Sequence, residues 1–168
     1  FRTGIYPYSV MTSVFSPVNG IGRERFAPTR IVFTSQEWCG QVYHRLMPAA
    51  GNFTSEIRSY FSVEGEASRR VATEPVTLYE NALLLQLREL DGLFNSGEDW
   101  SGHVVPALWK QRRSQETLEP LRATITRSEA RLDDGTDITR FVLRYGDEGL
   151  RHRASAPTKS SRLANVRG

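Results

Sequence analysis

Apolar and polar residues alternate with a period of two along most of the chain. In residues 8–18, Val10, Thr12, Val14 and Ser16 alternate with Met11, Ser13 and Phe15, and Asn19-Gly20 follows. Successive strand side chains point to opposite faces and Asn-Gly accepts positive φ, so this pattern predicts a strand and then a turn or wider loop reaching Pro28. Residues 29–47 carry Ile31, Phe33, Trp38, Val42 and Leu46, with Gly40 in their middle; a bulge or kink there divides the run into two strands, and Pro48 with Gly51 ends it. The most regular stretch is 53–63, where Phe53, Ser55, Ile57, Ser59, Phe61 and Val63 share one face and Thr54, Glu56, Arg58, Tyr60 and Ser62 the other.

Helix signals concentrate after Pro75. Thr77-Leu78-Tyr79-Glu80 has the form of a capping box, Leu83, Leu84, Leu87 and Leu90 follow at helical spacing, and Gly92 is a suitable stop, which predicts a helix over 78–90. Polar residues 95–102 read as a loop, and 103–109 as a short edge strand interrupted by Pro106. A hairpin is expected beyond, with strands over 121–133 and 136–145 joined by a two-residue Asp134-Gly135 turn. That register sets Glu129 opposite Arg140, Arg127 opposite Val142 and Thr126 opposite Leu143. It puts Ala130, Leu132, Phe141, Leu143 and Tyr145 on one face and Arg127, Glu129, Arg131, Arg140 and Arg144 on the other. Strands without an alternating helix exclude a doubly wound parallel sheet. The fold class expected is therefore mainly β, an antiparallel curved sheet or partial barrel with one amphipathic helix (α+β if the helix is counted), in a single domain over 1–150.

Composition changes this picture little. The 168 residues are 39% hydrophobic and 24% charged, ordinary for a chain that buries a core. No stretch approaches the roughly 20 apolar residues of a membrane-spanning helix, and the longest candidate, 82–90, is broken by Gln86, Arg88 and Glu89. The net charge of +3 comes largely from the end of the chain, where Arg151, Arg153, Lys159, Arg162 and Arg167 have no acidic partner; residues 151–168 are expected to form a basic, disordered tail. A single cysteine, Cys39, cannot form an internal disulfide.

Several groupings carry potential chemistry. Cys39 and His44 invite a thiolate and base, yet a separation of five puts them on opposite faces of a regular strand, and an inert cysteine is the simpler expectation. His44, His103 and His152 lie on separate segments without metal-ligand spacing, so neither a metal nor any other cofactor is expected. Glu64 and Glu66, flanking Gly65 near Tyr60 and Phe61, suit a shared proton or a cation, or else a solvated turn. Ser68-Arg69-Arg70 lacks the Gly-rich loop of a phosphate site. Arg127, Arg131, Arg140 and Arg144 offer a better anion surface; without interleaved aromatic residues it argues against nucleic-acid binding. Asn52-Phe53-Thr54 fits a glycosylation acceptor but opens a strand.

Thr3-Gly4-Ile5-Tyr6-Pro7-Tyr8-Ser9, Gln36-Glu37-Trp38-Cys39-Gly40, Ser59-Tyr60-Phe61 with Glu64-Gly65-Glu66-Ala67, and Gln86-Leu87-Arg88 occur in this order. Together, over about 1–113, they resemble an uncharacterised family of bacterial envelope proteins, often lipoproteins. The resemblance implies an export signal and a lipidated cysteine ahead of this stretch, a chain that is a fragment, and a place in the bacterial periplasm or at the outer-membrane periphery. Members are sometimes labelled septum formation inhibitor Maf, a name belonging to nucleotide pyrophosphatases. Their amino-terminal Ser-x-Ser-Pro-Arg-Arg motif is matched here only by the mid-chain fragment Ala67-Ser68-Arg69-Arg70, so that chemistry is not expected.

The leading expectation is a non-enzymatic envelope domain that binds an apolar ligand or a partner protein in the concavity of its sheet, with membrane attachment only through a lipid anchor absent from this chain. The site residues then expected are Gln36, Glu37, Trp38, Cys39, Tyr60, Glu64 and Glu66. The alternatives are an enzyme using residues 36–39 with Glu64 and Glu66, and an anion or membrane-surface contact through the Arg face.

Overall fold

The computed structural model describes residues 2–3, 6–19, 25–37, 39–89, 99–146 and 161–165, and for 2–7 and 161–165 the backbone alone. The fold is mainly β, in curled sheets of antiparallel and some parallel pairing, as the alternation predicts. Where one domain was expected over 1–150, contacts gather the chain into two compact units, Phe1–Pro75 with Pro106–Glu119, and Val76–Val105 with Pro120–Gly168. Among the described residues no helix is long and apolar enough to cross a membrane.

In the first unit a short ladder of β1 (Arg2–Thr3) and β2 (Tyr6–Pro7) precedes a five-stranded antiparallel sheet. That sheet runs in chain order through β3 (Ser9–Phe15), β4 (Arg30–Glu37), β5 (Gly40–Ala49), β6 (Asn52–Ser59) and β7 (Glu66–Ala72). The pairings Phe33↔His44, His44↔Ile57 and Ile57↔Ala67 form one row across the sheet, and Ile31↔Leu46, Leu46↔Ser55 and Ser55↔Arg69 the next on the same face. This is the apolar face: Ile31, Phe33, Val42, Leu46 and Phe53 are buried on it. The opposite face carries a cross-strand chain of ion pairs, Arg45 with Glu56 and Arg58 with both Glu56 and Glu66.

Gly40 does divide the expected long run, opening β5 opposite Glu37 after a tight turn. The regular stretch from Phe53 stops earlier than its alternation suggests. β6 ends at Ser59, the Glu64 and Gly65 amides both donate to the Phe61 carbonyl to form a turn, and Val63 is fully exposed.

Residues 103–109, expected as one interrupted strand, divide between the units. Pro106 ends the strand, and a helix at Leu108–Ser114, the second in chain order and so α2, begins after Ala107. Proline is well suited to the approach to a helix, and the helix formers Leu, Lys, Gln and Arg follow it. Leu108 is buried, and the Trp109 ring lies 6.1 Å from Phe33 and 6.4 Å from Tyr8, so α2 packs on the apolar face of the sheet.

The second unit holds β8 (Thr77–Tyr79), α1 (Glu80–Glu89), β9 (Trp100–Val105), β10 (Leu121–Arg131), β11 (Asp137–Tyr145) and β12 (Ser161–Asn165), in sheet order β12-β11-β10-β9-β8. Thr77 lies in a strand rather than at a helix cap, and β8 pairs with β9 in parallel, against the expectation of antiparallel pairing throughout. Leu78, Leu83, Val104, Ala123, Ile125, Phe141 and Leu143 form the core, with Tyr145 packed beside it and donating its hydroxyl to Glu80. The helix buries Ala82, Leu83 and Gln86 and leaves Leu84 exposed, so its inward stripe is not the all-leucine one expected.

The hairpin pairs one residue out of the expected register: Arg131↔Asp137, Glu129↔Thr139, Arg127↔Phe141 and Thr126↔Val142. A two-residue type I′ turn needs positive φ at both of its central residues, but of this loop only Gly135 has it, at 87°. The Gly135 amide donates to the Leu132 carbonyl and Asp134 accepts the Thr136 amide, giving a three-residue Asp133-Asp134-Gly135 loop. Within the stretch expected as a disordered tail, 161–165 pair with β11; the rest of 147–168 lies outside the described residues.

Candidate ligand cleft

A cleft of about 290 Å³ lies in the first unit between the apolar face of the sheet and α2 with the chain that follows it. Phe33, Val42, His44, Ser55 and Ile57 form its floor and Val63, Ala67 and Val71 one side; Gln111, Arg112 and residues 115–118 close the other. Strand alternation places the floor residues: Phe33, His44, Ser55 and Ile57 belong to the two rows traced above, and Val42 lies two positions before His44 on the same face.

Two polar side chains break the apolar floor. His44 is buried, 2% exposed, and its Nε2 lies 2.7 Å from the Ser55 hydroxyl; Ser55 is 8% exposed and faces the cleft. Burial pushes the His44 imidazole down to about 4, partly offset by a hydrogen bond with the Gln111 side chain. At neutral pH His44 is therefore uncharged. A general base works best with a pKa near the operating pH, so this pair is suited to holding hydrogen bonds more than to moving protons.

At the mouth, Glu64 binds three partners. Arg112 reaches it at 2.6 Å, the Ser59 hydroxyl donates at 2.6 Å and the Gln115 amide at 3.3 Å. Gln115 makes that contact from a left-handed conformation, φ 54°, at the end of α2, where its backbone amide donates to the Gln111 carbonyl. Glu64 thus ties the 61–65 turn to α2. Arg69 stands directly across the strand pair from Ser55 and meets Glu119 at 3.9 Å.

Of the described residues expected to form a site, only Glu64 lines this cleft. Gln36, Glu37 and Cys39 are exposed at the β4–β5 turn, although Glu37 lies 4.0 Å from Arg112; Trp38 is outside the described residues. Tyr60 is exposed, and its ring lies so close to Gly40 that a side chain there would strike it. Glu66 pairs with Arg58 and Glu64 with Arg112, so the two acids have separate partners. Cys39 is exposed and His44 buried against Ser55, so no thiol and base pair forms.

The Arg face divides in the same way. In the observed register Arg127 and Arg131 fall on one side of the hairpin, opposite Phe141 and Asp137, while Arg140 and Arg144 fall on the other, opposite Ser128 and Thr124. Arg127 pairs with Glu129 and Arg131 with Asp137, and Arg140 donates to Ser128. Among the described residues no cluster of three or more His, Cys, Asp or Glu side chains could hold a metal.

Ser55, Arg69 and the helix that brings Gln111 and Arg112 line the cleft without having been expected there: Ser55 was only a face position, Arg69 only part of the dismissed Ser68-Arg69-Arg70 group. The available signal was Ser55, set between Phe53 and Ile57 on a face that is mostly apolar. No family model matches the chain, and no curated protein or solved structure does.

Proposed function

We propose that the first unit is a non-enzymatic binding module that takes a small, mostly apolar molecule in the cleft between its sheet and α2. One observation carries this: an apolar floor with a single neutral polar pair, under a cleft of about 290 Å³. Ligand sites are concave, largely apolar and carry a few placed polar groups, and this cleft sits at the small end of their usual range. A cavity of about 150 Å³ holds benzene, so a bicyclic ring system is a suitable size here. The envelope location implied by the family resemblance is part of the same proposal, and the full reading frame tests it: a leader ending in a lipidated cysteine supports it, and its absence counts against it.

The binding reading is tested with the fluorescent apolar probe N-phenyl-1-naphthylamine. Ala67 lines the cleft from an exposed strand, so Ala67→Trp fills the space at little cost to folding. The parent chain is expected to bind the probe and Ala67→Trp to bind it at least about tenfold more weakly, a difference of roughly 1.4 kcal/mol. Equal binding by the two proteins would remove the cleft as the site.

A further inference from the structure

Resting on the binding reading above, we propose that the cleft selects an uncharged ligand carrying a hydrogen-bond donor, a phenol or alcohol, whose hydroxyl donates to Ser55 while its apolar body lies among Val42, Ile57, Val71 and Leu118.

Three observations lead there. Ser55 is the accessible member of the polar pair, since His44 is almost wholly enclosed. Nε2 of His44 lies 2.7 Å from the Ser55 oxygen, and whichever of the two gives the proton, that oxygen keeps a lone pair turned to the cleft. A ligand that donates is therefore accommodated with either ring tautomer, whereas one that only accepts needs the Ser55 proton to be free.

Charge points the same way. Glu64 and Glu116 on the lining balance Arg69 and Arg112, and Arg112 is held by Glu64. No net charge is left to favour an ion over a neutral molecule, and burying an ion without a partner is costly. Arg69, directly opposite Ser55, is the one feature that an anionic ligand could use, so the test includes one.

The experiment displaces N-phenyl-1-naphthylamine from the full chain at pH 7 with naphthalene, 2-naphthol, 2-methoxynaphthalene and 2-naphthoate. 2-Naphthol is expected to bind about fivefold or more tightly than naphthalene, the fold-change of one ordinary hydrogen bond. 2-Methoxynaphthalene keeps the oxygen but not the donor and should bind like naphthalene; 2-naphthoate should bind more weakly than 2-naphthol. In Ser55→Ala the preference for the hydroxyl should vanish while naphthalene binding stays within about twofold. Tightest binding by 2-naphthoate would assign an anion at Arg69 and overturn the proposal, as would equal binding of 2-naphthol and 2-methoxynaphthalene. That comparison needs no variant and stands even if Ser55→Ala fails to fold. If none of the four displaces the probe from a chain that binds it, this ligand class falls and the binding reading stands; a chain that never binds the probe loses both.

Discussion

His44 is a neutral imidazole inside an apolar face, and that makes the first unit sensitive to acid. Its folded pKa of about 4 lies below the ordinary 6.5, so the unfolded chain binds the proton more readily than the folded one. The contribution of this residue is constant above about pH 6.5, falls as pH drops toward 4 and levels off below. The loss amounts to about 3 kcal/mol over that window. Urea denaturation between pH 7 and 4 is expected to follow this course, and His44→Gln, which keeps a hydrogen-bonding amide beside Ser55, to flatten it. Phe33 and Phe53, both fully enclosed, are simpler: either one replaced by Ala should cost about 3–5 kcal/mol in the same assay. At this scale the apolar face of the sheet was legible, because Phe53 and Ile57 fall on the side their alternation predicts. Ser55 and His44 were not read as partners, because they meet only through the pairing of β5 with β6 and are 11 positions apart.

Elements were legible where local chemistry decides them and obscure where one position tips the balance. Alternation predicts β3 to β6 within a few residues, yet the hairpin slipped by one because Asp134 keeps a negative φ and leaves Gly135 alone to reverse the chain. That slip broke the supposed Arg face, since one step of register transfers a side chain to the other side. Gly135→Ala is expected to destabilise by about 1 kcal/mol, the cost of a Cβ in left-handed backbone, measurable by thermal unfolding. Gly40 answers to a different constraint: an added Cβ would lie 2.7 Å from Cγ and 2.8 Å from Cβ of Tyr60, so Gly40→Ala should cost about 1–3 kcal/mol, Tyr60→Ala should relieve part of it and Tyr60→Gly, which removes the Cβ as well, more. The helix α2 escaped notice because only Leu108 of its seven residues is buried, leaving no apolar stripe.

For the molecule as a whole, local periodicity held no information on how the chain is apportioned. The first unit is discontinuous: its helix arrives only after the excursion 76–105 into the second unit. Partition into compact units depends on contacts distant in sequence, which alternation does not encode. Replacing 106–119 with a Gly/Ser linker is therefore expected to abolish probe binding, since Gln111, Arg112 and residues 115–118 all line the cleft. Fluorescence titration checks this directly.

The same discontinuity imposes an order of events on the ribosome. Strands β3 to β7 are complete by Ala72, but Leu108, the first buried residue of their helix, emerges 36 residues later. At usual synthesis rates of about 5–20 residues per second, the nascent sheet waits roughly 2–7 s with Phe33, Val42 and Ile57 lacking that cover. For those seconds an oily surface faces solvent, an opening for holdase chaperones that closes once the helix is delivered.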